Sequence, residues 1–241
     1  MAKSRCPIPR ALMFSLFCAH ETGAAGAGMD DYASERAEMV SRQIADRDVR
    51  DERVLAAMRK VPRHEFVPDS EKRAAYRDTP LPIGESQTIS QPYIVALMTE
   101  LTRPEKNHRV LEVGTGSGYQ TAVLAEIVEH VYSIEIEQTL ARTASEVLEK
   151  LGYDNVTVRA GDGYSGWVEH APFDSIVITA APDHIPQPLV EQLKPGGRMV
   201  VPVGPTAATQ QLLVLEKKAD GKVTSTFVAA VRFVPLRRRD D

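Results

Sequence analysis

The sequence is poor in the residues that build disulfide frameworks and metal centres. Only two cysteines, Cys6 and Cys18, occur in 241 residues, and the six histidines form no HxxxH or HxH pair. A disulfide-stapled core and a zinc site with the usual Cys/His spacing are therefore excluded, and we expect no bound metal.

Clustered positive charge is also scarce. The formal net charge is −4, and the one basic run, Arg237-Arg238-Arg239, is followed at once by two aspartates. Nucleic-acid binding needs a clustered positive surface, so we expect no nucleic-acid partner and interpret the basic run as a solvated tail. No segment after residue 28 is apolar enough to span a bilayer, so we expect no membrane association.

The first 28 residues differ from the rest of the chain. Three basic residues precede a short apolar stretch (11–19), and a run of small residues follows. This order resembles a secretory signal peptide, although an unstructured leader or a true start at Met29 explains it equally simply.

We expect residues 29–241 to form one domain with a helical N-terminal extension. We expect a monomer in the cytoplasm, with export as the alternative.

From residue 109 the sequence alternates between short apolar runs and amphipathic helical stretches. The predicted strands are 109–113, 131–135, 155–159, 173–178 and 198–203, and the predicted helices are 119–129, 138–151 and 186–193. Five strands with intervening helices predict an α/β fold with a doubly wound, mostly parallel sheet. The later segments QQLLVLEKK and TSTFVAAVRFVPL have no helix between them, so they predict an antiparallel hairpin at one edge and seven strands in all.

An additional helix is predicted further upstream, in QTISQPYIVALMTELT (87–102). Ser90 can serve as its N-cap, and Pro92 lies in the first turn, where its missing N–H costs least.

The segment VLEVGTGSGYQ (110–120) is the strongest binding motif. It places three glycines directly after a predicted strand, at Gly114, Gly116 and Gly118. No lysine follows them, which excludes a P-loop, and a dinucleotide fingerprint counted from Gly114 would need glycine where the chain has Tyr119. Glu112, just before the loop, would repel a pyrophosphate but attract a cation. The loop therefore favours S-adenosylmethionine, which carries a sulfonium and no phosphate, over a nicotinamide dinucleotide.

Two later positions fit a nucleoside ligand. Glu135 ends the second predicted strand about twenty residues after the loop, where an acidic side chain can accept both ribose hydroxyls. In the tripeptide GDG (161–163), Asp162 can accept from an adenine amino group while the Gly163 N–H donates to the ring. Taken alone, that tripeptide is better explained as an ordinary turn.

Together these segments resemble the protein-L-isoaspartate (D-aspartate) O-methyltransferase family. The most family-specific are LPIGESQTISQPYIVALMTEL and the terminal VRFVPL, and the resemblance runs in order from about Met39 to Leu236. It implies a class I methyltransferase (Rossmann-like) fold, S-adenosylmethionine as methyl donor and no metal. The implied reaction is methyl transfer to the free α-carboxylate of L-isoaspartyl residues, and by the family description D-aspartyl residues, in damaged proteins and peptides.

The resemblance also implies roles for individual positions. Ser90 matches the active-site serine, and the segment before Pro235 resembles the strand that lines the substrate groove. The expected donor contacts, with Glu112 added from the loop itself, are Thr88, Glu112, Gly114, Gly116, Glu135, Asp162 and Gly163.

Four other classes stay open at this point. They are a small-molecule O-methyltransferase, an amino-methylating enzyme acting on nucleic acid, a nicotinamide oxidoreductase and a non-catalytic donor-binding module. The first often uses magnesium or a catalytic histidine, and the second often carries [DN]PP[YF] where this chain has TAAP (179–182).

Overall fold

A computed structural model describes residues 32–205 and 208–238, so the predicted leader (1–28) and the alternative start at Met29 lie outside the described residues. Six α-helices are described: α1 (Ala33–Glu38), α2 (Glu52–Lys60), α3 (Pro92–Leu101), α4 (Tyr119–Ala125), α5 (Gln138–Lys150) and α6 (Gln187–Glu191). The nine described strands are β1 (Leu81–Gly84), β2 (Gln87–Ile89), β3 (Arg109–Val113), β4 (His130–Glu135), β5 (Val156–Ala160), β6 (Phe173–Ile178), β7 (Leu193–Val203), β8 (Gln210–Lys217) and β9 (Val223–Val231).

Seven of these strands form one sheet with the order β5-β4-β3-β6-β7-β8-β9. The first five are parallel, β8 is antiparallel to β7, and β9 is antiparallel to β8. The predicted doubly wound, mostly parallel sheet with an antiparallel edge hairpin is therefore confirmed. Strand β3 has β4 on one side and β6 on the other, so the strand order reverses beside it.

Two predicted helices are shorter than expected. The helix predicted over 119–129 ends at Ala125, and the one predicted over 186–193 is α6, which ends at Glu191. Leu193 is already in β7, where it pairs with Phe173. The apolar residue Leu193 fits the pattern of either a helix or a strand. Its pairing with β6 places it in the strand.

Side chains of the central strands alternate between two hydrophobic layers. Val110 faces a layer formed with helices α2, α3 and α4, whereas Leu111 and Val113 face the opposite layer. In that second layer, Trp167 packs with the strands near α6. Within the described residues, no helix combines the length and the apolar character that a bilayer span requires.

A small hairpin leads into α3. Strands β1 and β2 are antiparallel, with Leu81 opposite Ile89 and Pro82 opposite Thr88. Helix α3 begins at Pro92 with Gln91 as its N-cap residue, so the prediction of Ser90 as N-cap is wrong. The Tyr93 N–H has no partner within the helix and donates to Asp78 Oδ1 at 3.1 Å. A carboxylate from outside the segment therefore replaces the local cap.

Candidate active site

A cavity opens at the carboxyl ends of β3, β4 and β6, where the strand order reverses and where ligands of open α/β sheets usually bind. We call it the donor cavity. Its empty volume, including the part open to solvent, is about 750 Å³. The loops after these strands form most of its wall, and β2 and the segment 234–237 complete it.

The donor cavity brings together most of the residues singled out from the sequence. Six of the eight line it: Thr88, Ser90, Gly114, Gly116, Glu135 and Gly163. Gly114, Gly116, Glu135 and Gly163 lie at or after the ends of parallel strands, which meet at one edge of the sheet, whereas Thr88 and Ser90 come from β2 and its junction with α3. Sequence reasoning missed several other lining residues, among them Thr179, which follows β6 directly.

Two of the glycines are required by close packing. Gly114 has φ +98°, and a Cβ built on it would lie less than 3.0 Å from Thr179 Oγ1. A Cβ on Gly163 would likewise lie less than 3.0 Å from Val113 Cγ1. Real Cβ atoms do not tolerate such distances, so both loops can approach β3 and β6 only because these positions lack a side chain.

Glu135 is held rigidly at the end of β4. Its side chain is buried, its Oε2 accepts from the Gly116 N–H at 2.7 Å, and its Oε1 accepts from the Glu137 N–H at 3.0 Å. A carboxylate has about four acceptor sites, so each oxygen can still accept a ligand hydroxyl.

This arrangement discriminates between ligands with and without phosphate. The Gly116 amide, a loop group that could have bound a phosphate oxygen, is already bonded to Glu135. Among the residues that the structure describes, the charged ones that line the donor cavity are Glu135 and Arg237, and Arg237 is paired with Glu137. A diphosphate would therefore face a carboxylate, whereas the ribose of a phosphate-free nucleoside would find an acceptor.

Glu112 is not on the wall of the donor cavity, so its predicted direct contact with a ligand is corrected. Alternation along β3 turns its side chain into the face covered by α4, where it is fully buried. Its Oε2 accepts from the hydroxyls of Thr121 and Ser133, and Ser133 is also hydrogen-bonded to Thr115. Burial raises the pKa of Glu112 to about 8. Glu112 thus supports the glycine loop indirectly, through the Ser133 hydroxyl that is bonded to Thr115.

Asp162 also lies outside the residues that line the donor cavity, although Gly163 beside it does line the wall. Asp162 Oδ1 accepts from the Tyr164 N–H at 2.9 Å and caps a short 3₁₀ turn. From the sequence, the GDG tripeptide could be an ordinary turn or an adenine contact. The hydrogen bond that Asp162 makes here is that of the turn.

A second cavity adjoins the first, and we call it the acceptor groove. Its empty volume, including the open part, is about 970 Å³, and its far wall is the end of β9 with the residues that follow. Four residues line both cavities: Thr88, Ser90, Thr179 and Val234. The segment before Pro235, which was expected to line a substrate groove, lines this cavity, and Ser90 lies on its boundary with the donor cavity.

The C-terminal segment 234–238 crosses the donor cavity. The Ala181 N–H donates to Val234 O and the Leu236 N–H donates to Ala181 O, both at 2.8 Å. Arg237 pairs with Glu137, and the Arg238 guanidinium lies 4.0 Å from the ring centre of Tyr164. Both arginines are exposed, as expected of a solvated basic tail, and each also contacts a side chain remote in sequence.

The described parts of the chain, 32–205 and 208–238, contain no group of three or more His, Cys, Asp or Glu side chains placed to hold a metal ion. The described residues that line the donor cavity offer hydroxyl groups, backbone amides, the Glu135 carboxylate and the Arg237 guanidinium.

Comparison with known proteins identifies close relatives. The sequence profile of the family described as protein-L-isoaspartate(D-aspartate) O-methyltransferase (PCMT) matches residues 34–241. Protein-L-isoaspartate O-methyltransferase 2 of Syntrophobacter fumaroxidans is 56% identical over 223 residues, which cover 89% of this chain and 90% of the relative. The protein-L-isoaspartate O-methyltransferase of Gloeobacter violaceus is 57% identical over 201 residues, covering 83% of this chain and 97% of the relative.

Solved structures agree in fold. A structure of a protein-L-isoaspartate O-methyltransferase superimposes with a TM-score of 0.76 at 30% identity, over 84% of this chain and 65% of that one. A Plasmodium falciparum protein solved in complex with S-adenosyl-L-homocysteine has a TM-score of 0.72 at 24% identity, covering 85% of this chain and 99% of that one, and supports the fold alone.

Proposed function

The chain belongs to the protein-L-isoaspartate(D-aspartate) O-methyltransferase family, and we propose that its two adjoining cavities and Ser90 carry the reaction of that family. The enzyme transfers a methyl group from S-adenosyl-L-methionine to the free α-carboxylate of L-isoaspartyl residues in damaged proteins and peptides. D-aspartyl residues are a proposed second substrate. The observation that carries the residue assignment is that Ser90 lines both cavities.

The donor cavity fits a phosphate-free adenosyl ligand. Glu135, already oriented by two backbone N–H groups, accepts the ribose hydroxyls. Gly114 and Gly116 form the loop wall, Gly163 gives the adenine side of the cavity a backbone surface, and Thr88 closes it from β2. When bound, the donor supplies an electrophilic methyl group on a positively charged sulfur.

The acceptor needs orientation more than activation. A carboxylate ionises well below neutral pH, so it is already a nucleophile and needs no general base. Ser90 donates a hydrogen bond to one carboxylate oxygen and so directs the other towards the donor cavity. Alignment of two bound reactants corresponds to an effective molarity of roughly 10⁵ M or more, which explains how a site without a catalytic histidine can be efficient.

The product explains the repair role. The methoxide of a methyl ester leaves more readily than the oxygen of a free carboxylate, so the neighbouring backbone nitrogen can attack the ester carbonyl, release methanol and close a succinimide ring. Hydrolysis of that ring gives normal aspartate in part of the molecules. Neither later step needs the enzyme, and damaged sites occur in many sequence contexts, so a groove that binds mainly the peptide backbone suits the substrate.

We also propose that the protein acts as a monomer in the cytoplasm, without a nucleic-acid or membrane partner. The compartment must supply the methyl donor, and export remains the alternative if residues 1–28 direct it.

Replacement of Ser90 tests the residue assignment. Ser90→Ala removes the orienting donor, so kcat for an isoaspartyl peptide should fall by roughly ten- to hundredfold. The Kd for S-adenosylhomocysteine, measured by calorimetry, should change by less than about twofold. Ser145→Ala is the matched control, because Ser145 lies on α5 and its hydroxyl bonds only to Ala141 O. Unchanged kcat in Ser90→Ala would remove Ser90 from the mechanism.

A further inference from the structure

The Ser90 side chain receives no hydrogen bond from the described residues that would fix its position. It must therefore be placed by its own backbone, at the junction of β2 and α3. On its N-terminal side, β2 pairs with β1, with Ile89 opposite Leu81. Ile89 is also buried in the core, so this side of Ser90 is anchored by the sheet and by packing.

On the C-terminal side of Ser90, the side chains of Pro92 and Tyr93 are buried, and one carboxylate holds the backbone of the first turn. Asp78 Oδ1 accepts from the Tyr93 N–H at 3.1 Å, and Asp78 Oδ2 accepts from Gln91 Nε2 at 2.7 Å. Arg47 binds the same Oδ2 at 3.1 Å. Asp78 therefore holds the residue that follows Ser90 and the first free N–H of α3.

Local sequence cannot provide this anchor. Pro92 has no N–H, and Gln91, in the N-cap position, makes no side-chain bond to the helix. A helix start without a local cap exposes backbone donors and frays, which would let the preceding residues move. Asp78 prevents this from a distance of fifteen residues in sequence.

We propose that Asp78 is a positioning residue for catalysis: it fixes the start of α3 and thereby holds Ser90 at the boundary between donor cavity and acceptor groove. This inference rests on the proposed role of Ser90. Asp78 lines neither cavity, so it acts through the backbone of residues 91–93 and not on a ligand.

A double-mutant cycle tests the proposal. Asp78→Ala in the otherwise unchanged enzyme should lower kcat for an isoaspartyl peptide by roughly tenfold or more, since a small misplacement of an orienting group is costly. In the Ser90→Ala background, the same change should lower the remaining kcat by less than about twofold, because there is no hydroxyl left to position. S-adenosylhomocysteine binding measured by calorimetry should stay within about threefold throughout.

Two companion variants separate positioning from general damage. Asp78→Asn keeps an oxygen for the Tyr93 N–H, so its kcat should lie closer to wild type than that of Asp78→Ala. Tyr93→Phe is the matched control. Tyr93 lies in the same first turn of α3, and this change removes the bond from its hydroxyl to Asp48 but leaves its backbone N–H bonded to Asp78. Its kcat should change by less than about twofold.

The outcomes that contradict the proposal are distinct. Equal losses of kcat from Asp78→Ala in both backgrounds would show that Asp78 acts independently of Ser90 and would overturn this inference alone. An unchanged kcat in Ser90→Ala would overturn the role of Ser90 and, with it, any positioning of that residue by Asp78. A loss in Tyr93→Phe as large as in Asp78→Ala would show a general effect of disturbing α3.

Discussion

A methyl group added at Gly114 should damage the donor cavity in a way that can be worked out from its surroundings. Gly114 has φ +98°, where an L-residue costs about 1–2 kcal/mol. The new Cβ would displace the Thr179 hydroxyl, which now donates towards Val113 O at 3.0 Å and Gly114 O at 2.5 Å. Losing that hydrogen bond costs about 1 kcal/mol more. Gly114→Ala should therefore lose about 2–3 kcal/mol of unfolding free energy.

Gly152 provides the matched control. It has φ +82° after α5, and a Cβ there would meet nothing within 4 Å. Gly152→Ala should carry the backbone cost alone, about 1–2 kcal/mol, because no neighbour has to move. Urea denaturation of both variants measures the two costs.

Donor binding then separates the two glycines. Calorimetry with S-adenosylhomocysteine should show affinity at least about tenfold weaker for Gly114→Ala, since Gly114 and Thr179 both line the donor cavity. Gly152→Ala should bind within about twofold of wild type. Equal affinities in the two variants, or wild-type affinity in Gly114→Ala, would refute the assignment of this loop to the donor.

Other predictions concern two carboxylates and one arginine. Burial raises the pKa of Glu112 from 4.5 to about 8, so the folded state keeps a proton there that the unfolded chain loses. Stability from this group is greatest below pH 4.5 and is lost as pH rises towards 8, at about 1.4 kcal/mol per pH unit and about 5 kcal/mol in all. Urea titrations at several pH values should show this fall in wild type and not in Glu112→Gln, and equal slopes would contradict it. Glu135→Gln should weaken S-adenosylhomocysteine binding by about ten- to hundredfold in calorimetry, because its amide must turn a donor towards a backbone N–H. Unchanged affinity would exclude Glu135 as the ribose acceptor. Arg237→Gln removes the ion pair with Glu137, so donor release measured by stopped-flow at low salt should be about two- to fivefold faster. If the difference from wild type persists in about 1 M salt, where the ion pair is screened, the pair does not control donor release.

The sequence predicted the parts of the structure that depend on local pattern. Alternating apolar runs and amphipathic stretches placed all seven strands of the main sheet, and the central ones were the clearest because burial on both faces demands continuous apolar segments. The glycine loop after β3 was predicted as a binding site because closely spaced glycines at the end of a strand let a ligand approach the backbone. Six of the eight predicted site residues line the donor cavity: four because strand ends and their loops meet at one edge of a parallel sheet, and Thr88 and Ser90 as the family resemblance implied.

What the sequence could not predict depends on partners far away in the chain. Ser90 looked like an N-cap because serine is a preferred residue just before a helix, whereas the cap comes from Asp78. The basic run at the C-terminus is exposed as expected, but its sequence could not show that Arg237 pairs with Glu137, 100 residues away. Glu112 was expected on the cavity wall because the sequence does not show which alternate side chains of β3 turn towards α4.

The acceptor groove shows the same limit at a larger scale. Its walls come from residues 80–94 at one end of the domain and from 209 and 230–234 at the other, with Thr179 between them. Family-specific segments at both ends gave reason to expect a groove. Only the fold shows that Ser90 lies where this groove meets the donor cavity.

One assay tests the enzyme's reaction most directly. The purified protein is incubated with S-adenosylmethionine carrying a radiolabelled methyl group and with two peptides that differ only in aspartate or isoaspartate at one position. We expect base-labile label on the isoaspartyl peptide alone, since the ester forms on its free α-carboxylate. Equal labelling of both peptides, or label that survives base, would contradict a carboxylate-specific repair enzyme.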